Sequence, residues 1–298
     1  MIKIIKRNVL FILVIIALFY IATYRTFEYW NGQAALKINF FEKAKGMCER
    51  GEIQIAETCP IVKHVTDTYV VFVPDVITAF HTVVTTTEFS TIQVIYPIFL
   101  IFISILSISK EYKSLYPKMY LQRGKYEDYL KSVFKRTYKY VLIYPIMYLY
   151  VFIICLFMSG HFNYQLTVDI GYELVSKRPI LYLMFFFSNI ILQNSIHISL
   201  GLIYVKKFSN VVLASIVGYL TFLGIEIFNE GVLDYLILFK TFKMKVPQYV
   251  NILDVVDLSD RNYIFLLVLL LYSLILFIIM LISYKNKEKF IIKLEQNK

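Results

Sequence analysis

Residues 109–139 lie between two long apolar runs and carry nine of the chain's 31 basic residues: Lys110, Lys113, Lys118, Arg123, Lys125, Lys131, Lys135, Arg136 and Lys139. Only three acids, Glu111, Glu127 and Asp128, stand against them. Moving lysine and arginine across a bilayer is disfavoured, and their number in short loops orients the neighbouring spans. The segment is therefore expected in the cytoplasm, and it sets the direction of every other apolar run.

Apolar runs at 9–23, 91–108, 140–158, 180–205, 211–228 and 263–284 read as six spans, each near the length a bilayer requires. The expected fold is an all-α integral membrane protein, one six-helix domain over 1–298 with both termini cytoplasmic. Composition agrees, since 58% apolar residues, 17% charged residues and a mean hydropathy of +0.63 belong to the membrane class. Lys3, Lys6 and Arg7 precede the first run, and no small-residue cleavage site follows Ala22-Thr23-Tyr24-Arg25, so it reads as an uncleaved anchor.

A net charge of +10 taken alone suits a nucleic-acid partner, but its placement does not. The side holding 109–139, the N-terminal segment, Lys206-Lys207 and the tail from Lys285 has 19 basic residues and five acids. The opposite side has 12 basic residues and 15 acids, with Glu226 left inside or at the edge of a span. This asymmetry is positive-inside topology with attraction to anionic membrane lipid, and no nucleic-acid partner is expected. The expected location is a cell membrane, the bacterial cytoplasmic membrane in particular.

Residues 24–90 form the longest polar segment and fall outside by this topology. Cys48 and Cys59, with ten residues between them, either form a disulfide, which an extracytoplasmic compartment permits, or stay as free thiols. Cys155, in an apolar run, reads as a packing residue. Tyr69 to Val73 has strand-like composition, whereas Ile77, Phe80, His81 and Val84 share one face of a helix expected to lie along the outer membrane surface. Residues 229–262 are too polar to cross and offer two short stretches that could dip into the outer leaflet.

No phosphate loop, H-E-x-x-H pair, G-x-S-x-G elbow or C-x-x-C pair occurs, and the four histidines are scattered. Neither catalytic residues nor a metal site is expected. Pro97 and Pro145 fall inside spans, where each frees a carbonyl. In the fourth span Asn189, Gln193 and His197 recur at i, i+4 and i+8, on one helix face, with Asn194 beside it. Polar groups in a bilayer need partners or a wet cavity, so this face is a substrate path, a contact with another copy, or interhelical glue. Glu226 either snorkels to the surface or meets a cation. Ala214, Gly218 and Gly224 in the fifth span are small residues spaced for close helix approach.

Around the basic segment the order is Glu111 after the second span, a short helix, then Arg123, Tyr126 and Lys131 leading into the third, with Gly124 breaking the stretch in two. This arrangement resembles the membrane-spanning permease subunits of ATP-binding-cassette exporters of the second type. Six spans, inside termini and short dipping helices between the last two spans extend the resemblance over most of the chain. The outer segment is long for that family, and Lys113-Ser114 stands where Gly-Thr is usual. The resemblance implies a permease-like domain whose 109–139 loop, through Glu111, Arg123, Tyr126 and Lys131, couples to a separate ATPase subunit. It further implies a second permease copy or sister permease, a hydrophobic or amphipathic substrate, and no cofactor on this chain, ATP being held by the partner subunit. The competing expectation is a non-transporting membrane protein whose 24–90 segment binds a ligand or partner.

Overall fold

The computed structural model describes residues 12–28, 30–31, 76–112, 117, 120, 124–159, 179–208, 210–229, 232, 240 and 263–286. Nearly all of these are helical, and no strand occurs among them. The helices are α1 (12–28), α2 (Val76–Val84), α3 (Thr87–Tyr112), α4 (Tyr126–Tyr138), a 3-10 turn (Lys139–Leu142), α5 (Ile143–Ser159), α6 (Pro179–Lys207), α7 (Val211–Phe228) and α8 (Tyr263–Tyr284). Five helical stretches are long and apolar enough to cross a membrane: Thr91–Ser109, Tyr126–Ser159, Ile180–Lys207, Val211–Phe228 and Leu266–Tyr284. The chain is a multi-pass membrane protein. The first expected span is helical over 12–28; residues 9–11, Cys48, Cys59, the strand-like 69–73, Arg123 and the stretch 241–262 lie outside the described residues.

Contacts separate the chain into two compact units, Met1–Val83 with Leu149–Leu166, and Val84–Tyr148 with Thr167–Lys298. In the first, α1 meets the later part of α5 through a 2.9 Å hydrogen bond between the Thr23 and Tyr150 hydroxyls and a Phe19–Tyr150 ring contact at 5.0 Å. Phe80 of α2 meets Phe152 edge-on at 5.5 Å. The expected helix at 76–84 is present, but Val76, Ala79 and Val83 are buried together with Ile77, Phe80, His81 and Val84. It is thus enclosed by protein on more than the one apolar face that a surface-lying helix needs. Cys155 is a buried free thiol.

In the second unit α6 is the central helix, packing on α3, α7, α8 and α4. Every residue from Ile196 to Ile203 is buried. Bilayer hydrocarbon rejects polar side chains, so the least apolar of the five crossing stretches takes the interior and the most apolar, α8, presents the larger part of its surface outward. Close approach requires small residues. At Gly201 an added Cβ would overlap the Ser104 Oγ and come 2.9 Å from the Ile101 carbonyl, so α3 and α6 touch backbone to side chain there. A Cβ on Gly218 of α7 would sit 3.0 Å from Ile101, whereas Gly224 has nothing within 4 Å. Of the small-residue series, Ala214 and Gly218 pack inside the unit and Gly224 does not.

Capping and charge set the ends of these helices. Asn210 accepts from the Val212 and Leu213 amides at 2.9 and 3.3 Å and starts α7. Glu127 and Asp128 occupy the first turn of α4, and Lys135 and Arg136 its last, the order the helix dipole favours. The 34 residues from Tyr126 to Ser159 would extend about 51 Å if straight, against about 30 Å of hydrocarbon. The charged α4 is the part in excess.

Candidate functional site

Two places in the second unit bring polar side chains together: the inner face of α4, and the polar face of α6. On α4 the buried residues are Tyr129, Val133 and Thr137, at i, i+4 and i+8, while Lys131 and Lys135 stay exposed. Thr137 shares a 2.9 Å hydrogen bond with Ser107 of α3. Tyr138 is fixed by the Ser199 hydroxyl at 2.8 Å and an edge contact with Phe277 at 5.8 Å. The described part of the basic segment is therefore fastened to three spans.

A further attachment is at Tyr126. The last carbonyls of a helix have no partner within the helix, and the carbonyl of Tyr284, at the end of α8, receives the Tyr126 hydroxyl at 2.8 Å. The Tyr284 side chain continues the connection. Its hydroxyl donates to the Leu202 carbonyl on α6 at 2.8 Å, Phe134 of α4 meets its ring edge-on at 5.3 Å, and the Lys206 ammonium lies 5.2 Å above it. Such ring and cation contacts add to the buried area. Tyr284, only 1% exposed, is the point at which α4, α6 and α8 meet.

Of the four residues expected at the coupling segment, Tyr126 thus holds a defined contact and Lys131 is exposed. Glu111 falls in the last turn of α3, where only its backbone is described, and Arg123 lies outside the described residues. Reading along the sequence missed Tyr284, because a tyrosine closing an apolar run looks like one more interfacial aromatic.

On α6, Asn189, Gln193, Asn194 and His197 are all buried. Asn194 has an identifiable structural task. Pro145 has no amide hydrogen, so the carbonyl four residues earlier, on Val141, lacks its helical donor. The Asn194 side-chain amide supplies that donor at 2.8 Å. The 3-10 turn immediately before α5 is the local tightening that accompanies the break. His197 differs. Its ring stands edge-on to Phe222 of α7 at 4.5 Å, and neither ring nitrogen has a hydrogen-bond partner among the described residues.

Helices α6 and α7 are antiparallel neighbours joined by three residues. Four residues back from His197 and four forward from Phe222 reach the same depth, which sets Gln193 level with Glu226. Glu226 is buried within α7, and Asn229, at its end, accepts a hydrogen bond from Tyr272 of α8. Glu226 also lies within electrostatic reach of Tyr272. The polar face of α6 therefore continues onto α7 and α8 rather than ending at one helix. Tyr272 and Asn229 were not legible in advance, since a lone tyrosine in a leucine-rich run carries no spacing signal.

A third feature is a groove of about 420 Å³ between α3 and α7, running from Ile95 to Phe102 on one wall and from Val212 to Leu220 on the other. No group of three or more metal-ligating side chains occurs among the described residues.

Comparison of the chain with protein-family models, curated proteins and solved structures returned no match.

Proposed function

We propose that the chain is the membrane-spanning permease subunit of an ATP-binding-cassette exporter of the second type, paired with a second copy or a sister permease and driven by a separate ATPase. The observation that carries this reading is the junction at Tyr284. A cytoplasmic helix that only set topology would need no specific attachment to spans remote in sequence. Here Tyr126 and Phe134 of α4 engage the end of α8, and Tyr284 in turn engages α6. A push on the exposed basic face of α4 is delivered to three spans at once.

In this reading six spans cross, beginning with 9–23, both termini are cytoplasmic, 24–90 is extracytoplasmic, and the membrane is the bacterial cytoplasmic membrane. Glu111, Arg123, Tyr126 and Lys131 form the coupling surface. Asn189, Gln193, His197 and Glu226 line the path or the contact between permeases, and the cargo is hydrophobic or amphipathic. The chain itself is not the enzyme; ATP is hydrolysed on the partner.

Gentle purification of the tagged chain from its native membrane, followed by cross-linking and mass spectrometry, tests the reading. A stoichiometric ATPase with a phosphate-binding loop, cross-linked through Lys113 to Lys131, is the expected result. Its absence while other membrane complexes survive counts against the reading, as does unchanged export by the Glu111→Lys, Arg123→Glu double variant. In the second reading, a non-transporting protein whose 24–90 segment binds a partner, the separate packing of Met1–Val83 with Leu149–Leu166 is the supporting observation. A disulfide between Cys48 and Cys59 and binding by an isolated, folded 25–90 fragment would favour it.

A further inference from the structure

The groove between α3 and α7 has a chemical character that the coupling mechanism does not use. Its walls are aliphatic and aromatic, and its two hydroxyls are turned to backbone: Ser215 donates to the Val211 carbonyl at 2.8 Å and Tyr219 points to the Val94 carbonyl at 3.5 Å. What faces the groove is hydrocarbon. The described chain leaves it unfilled, with Ile95, Val212, Ile216 and Leu220 each more than half exposed. From Val212 to Leu220 the α7 wall rises about 12 Å from the first turn of that helix, and the α3 wall, Ile95 to Phe102, carries the groove on past mid-depth. An occupant of such a groove is a chain entering from one surface, not a solute enclosed on all sides.

The end at which it enters is basic. Lys206 and Lys207 close α6 only a few residues before Val212. Lys207 is exposed, has no acidic partner among the described residues, and lies 5.4 Å over the Tyr204 ring. Tyr204 is itself anchored on α7, by a 2.6 Å hydrogen bond to Thr221 and by its approach to Gly218. The ammonium is thereby held beside the helix that forms one wall of the groove. With 19 basic residues against five acids on that side, it faces the leaflet in which anionic headgroups collect.

We propose that this groove is a binding site for an anionic phospholipid of the inner leaflet, one acyl chain lying between α3 and α7 and the phosphate meeting Lys207. The inference rests on the orientation of the basic side and not on the exporter reading. Charge complementarity at the mouth selects lipid over a second copy of the chain, whose matching surface would present the same lysines.

The test uses the full-length protein, stripped of lipid in mild detergent and mixed with phosphatidylglycerol carrying a diazirine on one acyl chain. After illumination, label is expected within 95–102 and 212–220, removed by unlabelled phosphatidylglycerol and not by phosphatidylcholine of the same chains. In native mass spectrometry the Lys207→Gln variant should hold phosphatidylglycerol roughly fivefold more weakly, with phosphatidylcholine unchanged. Label spread evenly over all the spans, or displaced equally by both lipids, overturns the proposal. So does an Ile98→Trp variant that keeps its phosphatidylglycerol while losing a self-association that the unchanged protein shows by the same mass measurement, which would make the groove a protein interface. Ile227→Trp, exposed at the far end of α7, controls for folding and needs no cargo or ATPase.

Discussion

Little more than one turn of α6 separates two buried polar regions built in opposite ways. At the lysine-rich end the tyrosine hydroxyls are committed: Tyr126 to the Tyr284 carbonyl, Tyr284 to the Leu202 carbonyl and Tyr138 to Ser199. At His197, two ring nitrogens are buried without a hydrogen-bond partner among the described residues. Satisfied groups stabilise and orient the helices that share them, whereas a buried polar atom without a partner costs about 1–3 kcal/mol. The first region is a fastening. The second carries that cost with no hydrogen bond among the described residues to offset it.

The comparison is broken most severely by separating the helices that support both regions. Gly201→Val places a Cβ, with two methyl groups beyond it, against the Ser104 side chain and 2.9 Å from the Ile101 carbonyl; the Ser104 hydroxyl can turn aside, but the backbone cannot. A loss of about 3 kcal/mol or more is expected, at the upper end of overpacking costs, read as a lower melting temperature in detergent. Gly224→Val, with nothing within 4 Å of an added Cβ, should leave melting unchanged. Equal stability of the two variants would mean that α3 and α6 are not in close contact at Gly201.

Next in size is the hydrogen bond that repairs the proline break. Asn194→Ala leaves the Val141 carbonyl without its donor and should cost about 2 kcal/mol. The sharper form is a double-mutant cycle. Pro145→Ala restores a backbone amide, so in that background Asn194→Ala should cost less than half as much. Equal costs in the two backgrounds would show that Asn194 is held for some other reason.

Span placement was legible because length and apolarity are recorded residue by residue: 211–228 and 263–284 coincide with α7 and α8. The polar face at Asn189, Gln193 and His197 was legible because helical spacing shows it directly. The roles within it were not. Asn194, which the spacing set beside the face, completes a distant carbonyl, and seeing this requires knowing that Pro145 and α6 are neighbours. Gly201 was overlooked while Gly224 was included, since small residues mark possible contacts and only packing shows which are used. The surroundings of α2 were misjudged for the same reason: its apolar face suited a membrane surface equally well.

A smaller effect sharpens the description of the fastened end. Tyr284→Phe removes the bond to Leu202 but leaves the Tyr284 backbone carbonyl for Tyr126, and Tyr126→Phe does the reverse. Each should cost about 1 kcal/mol, and the pair should be nearly additive if the end of α8 keeps its position. Hydrogen exchange of the amides in 126–138 should rise in both variants, more so in the double. Exchange that is unaffected would mean that Thr137 and Tyr138 suffice to hold α4.

The smallest expected effect on stability decides what His197 is. Leucine is of similar size, meets Phe222 as an apolar neighbour, and removes two nitrogens that bond to no described residue. His197→Leu should therefore change stability by less than about 1 kcal/mol, with a gain as readily as a loss, because no favourable bond is given up. Asn194→Leu, three residues away, should be clearly destabilising. A loss of about 2 kcal/mol in His197→Leu would assign the imidazole a structural partner and return the whole face to interhelical glue. Unchanged stability together with loss of export, or of self-association measured in detergent, would separate His197 from Asn194 and support placing the imidazole at the proposed path or contact.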